Sequence, residues 1–309
     1  MPDYWTWTPI SSFKSFGLRG SGGKSMSEIY GRNVLITGGA SGIGLLMAKK
    51  LADRGAKVII WDIDDSNLEK IAGEIKAKGH SVAVYQCDVS IRNEVYRVAE
   101  VVKGDFGKVD ILINNAGIVS GKSFLECTDE QLEKSMAVNM LAHFWTVRAF
   151  LPEMIRAGNG HIVTISSAAG LIGVSRLVDY CTSKFAAFGF DEALRMEMKQ
   201  EKWNIKTTVV CPYFINSGMF EGVQTRFSWL LPILDIERVA ERIVRAIKKD
   251  RRRLLMPPLV YSVWLLRYLP AFVFDFITNF LGINAAMHTF RGRYGVKHQN
   301  TKSKQADSN

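Results

Sequence analysis

The sequence predicts a doubly wound α/β fold with a mostly parallel sheet, and three observations carry that expectation. Runs at 34–37, 58–61, 82–86, 111–114, 162–166 and 207–211 are short, β-branched and nearly continuously apolar, as strands covered on both faces must be. Stretches of helical periodicity follow them at 45–54, 68–78, 93–106, 130–154, 183–202 and 236–248. A strand–helix alternation of this kind forces right-handed crossovers, and therefore parallel neighbours with helices on both faces. The length of 309 residues and a hydrophobic fraction of 47% allow one large core and exclude wholesale disorder.

Each strand ends in a distinctive segment, and ligands of such sheets bind outside the carboxyl ends of the strands. The first run closes with Thr37-Gly38-Gly39-Ala40-Ser41-Gly42-Ile43-Gly44 and passes straight into a helix. Gly38 allows the tight turn, Gly42 lets backbone approach a pyrophosphate, and Gly44 permits close helix–strand packing. The helix start then offers N–H groups and a positive dipole end to phosphates, with Ser41 and Ile43 in the same turn. This is the dinucleotide-binding pattern of a Rossmann fold.

The second run ends at Asp62, 18 residues past Gly44, placed to accept hydrogen bonds from ribose hydroxyls. A 2′-phosphate would meet like charge there, and neither Ser41 nor Ile63 supplies a cation. NAD(H) is therefore preferred over NADP(H); the plainer reading of Asp62 is a residue of the helix-start cluster 62–65. The third run leads into Asp88 and Val89, where the carboxylate suits an adenine amino group or, equally, a helix cap. The fourth closes with Asn114, Asn115, Ala116 and Gly117, a cofactor lining or a plain turn. The fifth ends at Ser166-Ser167, the sixth at Pro212, with Ile215 and Ser217 just beyond; a seventh strand is expected near 253–256.

Tyr180 and Lys184 stand four apart, on one face of a helix. Such a pair arises easily by chance and gains weight from its company: Ser167 thirteen residues earlier, and Asn139 on the helix after the fourth strand. The plain alternatives are a helix-surface pair, a cap and a satisfied buried amide. In order and combination, TGGASGIG, NNAG, Asn139, the Ser167–Tyr180 spacing, YCTSK and Pro212 resemble the short-chain dehydrogenase/reductase family over about residues 30–250. The segment CPYFINSGMFEG and the late MHTFRGR are most similar to its retinol and 17β-hydroxysteroid dehydrogenase 11/13-like branch.

The resemblance implies a Rossmann-type oxidoreductase with Asn139, Ser167, Tyr180 and Lys184 as catalytic residues, Asn139 holding a water that links Lys184 to solvent. The chemistry agrees. A phenol near pKa 10 is too weak a base at neutral pH without a cation beside it, and Lys184 supplies one while also holding the nicotinamide ribose. Tyr180 would then act as general acid/base, and Ser167 would bond the substrate oxygen. Two departures stand out: Tyr213 replaces the glycine that often follows Pro212, and Ser217 occupies the usual threonine position. No metal site is expected, and Cys181 reads as packing.

Phe214, Met219, Phe220, Phe227, Trp229, Leu230, Leu231 and Ile233 crowd the segment expected to cover the nicotinamide. An apolar lid favours a small lipophilic alcohol or carbonyl of retinoid, steroid or long-chain type over a sugar or hydroxy acid. An NADPH-dependent 3-oxoacyl or carbonyl reductase, and a non-catalytic membrane-associated scaffold that binds dinucleotide, remain the alternatives. The long fifth and sixth helices of the family commonly form a dimer contact, so a homodimer or homotetramer is expected.

The net charge of +10 is carried wholly by two blocks, 242–253 and 291–309, and the rest of the chain balances. The greasy stretch between them carries only Arg267 and Asp275, and Pro257, Pro258 and Pro270 interrupt it. It suits either a segment lying in a membrane or lipid-droplet interface or a subdomain folded over the active site. Nucleic acid is not expected, since the charge brackets apolar sequence instead of lining a polar groove. Residues 1–29 read as a flexible segment without a signal peptide, 30–253 as the catalytic domain, 254–290 as the apolar extension and 291–309 as a basic tail. Four cysteines without a CxxC pair point to an intracellular, cytosol-facing location.

Overall fold

The computed structural model describes residues 28–292. The segment 1–27 and the basic tail from 293 onward, with the sequence expectations that fall on them, lie outside the described residues. Among the described residues, seven strands form one sheet: β1 (Asn33–Thr37), β2 (Lys57–Asp62), β3 (Val82–Gln86), β4 (Ile111–Asn114), β5 (Gly160–Ile165), β6 (Ile205–Pro212) and β7 (Arg253–Met256). Their order is β3-β2-β1-β4-β5-β6-β7, and every pairing is parallel. The chain winds outward from β1 in one direction and, from β4, in the other. A crevice therefore opens between the carboxyl ends of β1 and β4, where no crossover closes it.

The helices divide between the two faces. Helices α1 (Gly42–Ala52), α2 (Asp65–Ala77) and α7 (Ile236–Lys248) cover one; α3 (Arg92–Phe106), α5 (Ala142–Arg156) and α6 (Val178–Gln200) cover the other. Strand alternation feeds both cores: Val34 and Ile36 pack with Met47, Leu51 and Ile243, whereas Leu35 and Trp61 pack with Val95, Phe150 and Leu194. Trp61 is fully buried, its ring centroid 5.7 Å from that of Phe150. Burial of each such side chain contributes about 1.5–3 kcal/mol.

Two helix starts that differ from the sequence expectation matter to the site. Helix α1 begins at Gly42, not 45, because the glycine-rich turn is itself the first helical turn. Helix α6 begins at Val178, not 183, which places Tyr180 in its opening turn. The stretch predicted as one helix at 130–154 is instead α4 (Asp129–Met136), a π-helical turn at Ala137–Leu141 and α5. The inserted residue of a π turn re-aims side chains, and here the turn contains Asn139.

Beyond β7, α8 (Val263–Leu266) and α9 (Ala271–Phe280) fold back over the carboxyl ends of the strands. Val263, Phe274, Ile283, Ala286, Met287 and Phe290 pack in one cluster with Tyr180, Phe214 and Leu231. The extension thus covers the active-site end of the sheet. The basic block lies mostly away from it, between the last turn of α7, which ends at Lys248, and the amino end of β7; only Arg253 meets the extension, over Trp264 of α8 at 5.3 Å. Among the described residues, no helix is long and apolar enough to cross a membrane.

Candidate active site

The crevice at the switch point has a backbone floor. Gly38 has φ +63°, and a Cβ there would lie 2.8 Å from Ala116 Cα; a Cβ on Gly44 would meet the Gly38 carbonyl and the Asn115 amide. Both glycines are therefore dictated by close approach of two loops. Asn115 laces those loops together, donating from Nδ2 to the carbonyls of Thr37 and Gly38 at 2.9 Å each. Thr37 Oγ1 in turn accepts from the N–H groups of Asn115 and Ala116 at 3.0 and 3.1 Å. The cradle is rigid because its contacts join backbone to backbone or to short side chains.

Fifteen of the sixteen residues expected at a dinucleotide line this crevice: Gly38, Ser41, Gly42, Ile43, Asp62, Asp88, Val89, Asn115, Ala116, Gly117, Tyr180, Lys184, Pro212, Ile215 and Ser217; Gly44, the sixteenth, packs beneath them. Its volume is about 1540 Å³, counting the part open to solvent. Asp62 Oδ2 accepts the Ala40 N–H at 2.9 Å, which fixes the carboxylate at the end of β2. Burial opposes the charge on Asp88, but Lys134 and two bonds from Ser90 outweigh it and hold the carboxyl below its usual range. The residues fit a dinucleotide: a glycine floor and helix start for the pyrophosphate, and carboxylates at both far strand ends for an adenosine.

Lys134 also lines the crevice, 2.8 Å from Asp88 and 2.6 Å from the Ser90 hydroxyl, and sequence reasoning missed it. No local pattern could have found it, since α4 and the β3 loop meet only in the fold. The sequence did mark where α4 starts, through the reciprocal Thr128–Gln131 capping box.

At the inner end of the crevice the four residues expected to be catalytic converge. Lys184 Nζ donates to the Ile165 carbonyl at 2.9 Å and sits 5.6 Å from the Tyr180 ring centroid. Asn139 Oδ1 accepts the Ile118 N–H at 2.8 Å, while its Nδ2 donates to the Ile118 carbonyl and the Ser183 hydroxyl, each at 2.9 Å. Ser167 Oγ accepts the Ala169 N–H at 3.1 Å and donates to the Pro212 carbonyl at 3.3 Å, with the Tyr180 hydroxyl near enough to feel it. Tyr180 and Lys184 are both buried. Burial raises the Tyr180 hydroxyl above its ordinary range, against the pull of the Ser167 hydroxyl, and lowers Lys184 to about 8. The shared cause is informative: each group alone resists becoming an ion, so a phenolate and an ammonium here are stable only as a pair.

A second cavity, about 730 Å³ including open solvent, meets the crevice at Ser167, Tyr180, Tyr213 and Phe220. Ile172, Leu177, Phe214, Leu231, Leu266 and Leu281 supply much of its apolar wall. Phe220 stands edge-on to both Tyr180 and Phe214, at 5.6 and 5.2 Å. The wall draws on the anticipated lid only in part. Met219 lines the crevice instead, Phe227 packs on Phe280, and Trp229 is 81% exposed. Tyr213 does not disturb the sixth strand: Pro212 still pairs with Met256, and the Tyr213 N–H bonds the Met256 carbonyl at 2.8 Å. Its ring joins the chamber wall, and burial pushes its hydroxyl up to about 12.

Comparison with known proteins agrees with this geometry. A family model described as short chain dehydrogenase matches residues 32–226. The chain is 48% identical over 270 residues to the human epidermal retinol dehydrogenase 2, covering 86% of this chain and 87% of that one. A short-chain dehydrogenase/reductase from Burkholderia phymatum, solved in complex with NAD, superposes with a TM-score of 0.71 at 27% identity, covering 79% of this chain and 95% of that one. A metagenomic short-chain oxidoreductase in complex with NADP gives 0.62 at 28% identity, covering 74% and 96%.

Proposed function

This chain belongs to the short-chain dehydrogenase family and is an oxidoreductase of its retinol dehydrogenase branch; we propose that it interconverts a lipophilic alcohol and its carbonyl with NAD(H). The observation that carries the reading is the junction of crevice and apolar chamber at Ser167 and Tyr180, with Lys184 beside the phenol. An alcohol whose chain lies in the chamber presents its oxygen only there.

In the proposed reaction, Ser167 and Tyr180 hold the substrate oxygen. Tyr180 takes the hydroxyl proton as general base, and returns one as acid in the reverse direction. The Lys184 ammonium offsets the phenolate charge, and Asn139, gripped by Ile118 and Ser183, keeps the π turn beside it. A bound nicotinamide supplies the hydride acceptor. The chamber excludes water from the reacting carbon, and its wall selects retinoid, steroid or long-chain alcohols. Asp62 supports NAD over NADP by like-charge repulsion of a 2′-phosphate. Exposed Phe144 and Met196 on α5 and α6 are consistent with a homodimer or homotetramer, and the aromatic extension with a membrane or lipid-droplet surface.

The test is nicotinamide absorbance with the full chain, NAD or NADP, and a panel of retinoid, steroid and long-chain alcohols. The expected result is turnover with NAD that falls by about 10³-fold or more in Tyr180→Phe while dinucleotide affinity is kept. Turnover that survives in the variant overturns the assignment of the base. Faster turnover with NADP overturns the role given to Asp62.

A further inference from the structure

The C-terminal helices carry a second apolar surface on the side facing away from the chamber. Leu265, Tyr268, Phe272, Phe276 and Phe280 are 73, 89, 75, 71 and 53% exposed. Steps of four put Phe272, Phe276 and Phe280 on one side of α9, while Leu265 lies on α8 and Tyr268 in the turn between the two helices. Trp229 joins them, because the Phe227–Phe280 ring contact at 5.6 Å holds its loop beside α9. The opposite sides of the same helices place Val263, Leu266, Thr278 and Leu281 in the chamber wall. The wall between chamber and exterior is thus a single helical layer, apolar on both sides.

We propose that this outer face docks on the surface of a lipid bilayer, and that α8–α9 form the gate through which the alcohol passes between leaflet and chamber. The gate rests on the reading of the chamber as a site for lipophilic alcohols. Three observations select lipid as the occupant. The face joins aromatic and aliphatic side chains with a Tyr and a Trp, the composition that suits an interface with one wet and one greasy side. Two cations border it against one exposed acid, Asp275 on α9: Arg226 lies over Phe227 and Phe280 at 5.4 and 5.3 Å, and Arg267 over Phe185 at 4.9 Å, placed for lipid phosphates. Finally, α9 has ten residues, enough to lie in an interface and too few to span it. Most of the 242–253 block lies along the last turn of α7 and the loop to the amino end of β7, and only Arg253 reaches α8, over Trp264 at 5.3 Å, so attachment is chiefly apolar and persists at high salt.

The test uses the full chain and phosphatidylcholine vesicles in a flotation gradient at low and high salt, with Phe272→Ser/Phe276→Ser as the variant. Both positions are exposed and outside the chamber wall, so its thermal midpoint and its rate on a short, water-soluble alcohol serve as folding and activity controls. The wild type floats at both salt concentrations, and the variant partitions about tenfold or more weakly. Its kcat/KM falls for retinol supplied in vesicles and holds for the soluble alcohol. Equal flotation of the two proteins overturns the docking face. So does a wild type that fails to float, or a variant whose only change is from dimer to monomer, which assigns the face to a second copy. Normal turnover of both alcohol forms with lost flotation overturns the gate while the catalytic reading stands. Weakened flotation with no turnover of any alcohol by either protein overturns the gate together with that reading.

Discussion

The dinucleotide crevice and the apolar chamber share Ser167, Tyr180, Tyr213 and Phe220, yet they are built by different physics. The crevice is made of backbone and short polar side chains: glycines where two loops touch, and Asn115 and Thr37 tying those loops together. Its tolerances are those of hydrogen bonds and of contacts where an added methyl has no room. The chamber is made of large apolar side chains from the 170s, 210–231 and the C-terminal extension, held by packing and ring contacts. One region must be rigid to place a phosphate and a nicotinamide, whereas the other can be reshaped residue by residue without loss of the fold.

The largest effect should come from the crevice. A Cβ at Gly44 overlaps the Gly38 carbonyl, so Gly44→Ala is expected to cost several kcal/mol and to weaken dinucleotide binding by about 100-fold or to prevent folding. Calorimetric titration with NAD and a thermal melt check this, and unchanged affinity would break the contrast. Next comes Phe220→Ala in the chamber. It removes the ring that stands between Tyr180 and Phe290 and should raise KM for long apolar alcohols by about tenfold, with dinucleotide affinity kept. A steady-state chain-length series reads it; equal losses for short and long alcohols would mean that the ring serves the chemistry and not the wall.

The smallest effect links both regions. Because burial holds Lys184 near 8, its charge is a stability cost wherever it is protonated. Lys184→Met should therefore abolish turnover yet raise the thermal midpoint by a few degrees at pH 7. The sign with pH is fixed: the cost is full below 8, shrinks as pH rises toward the ordinary lysine value of 10.5, and vanishes above it. Melting curves of the two proteins should accordingly converge from pH 8 upward. A gap that widens with pH would contradict the direction given for Lys184.

The same contrast explains what the sequence made legible. Strand runs, the glycine turn, Asp62 and the Tyr180–Lys184 pair are local patterns, and each stands where its spacing predicts. Asn139 was legible by position, but the π turn that aims it was not, since one inserted residue leaves helical periodicity nearly intact. The chamber was the least legible part. Phe214, Phe220 and Leu231 were expected in a lid, but Ile172, Leu177, Leu266 and Leu281 carry no periodic signal of their own and meet only through long-range packing. Trp229 shows the converse, an apolar residue of the predicted lid that the fold turns outward. Lys134 reaches Asp88 from 46 positions away, beyond any window of local spacing.

The most direct test of the central claim, that crevice and chamber meet where the chemistry occurs, is a structure of the ternary complex with NAD and a long-chain primary alcohol. The account predicts the alcohol oxygen within hydrogen-bonding distance of both Tyr180 Oη and Ser167 Oγ, with the chain running between Leu231 and Leu281. An alcohol bound with its oxygen away from these two hydroxyls, or with its chain leaving through the crevice, would contradict it.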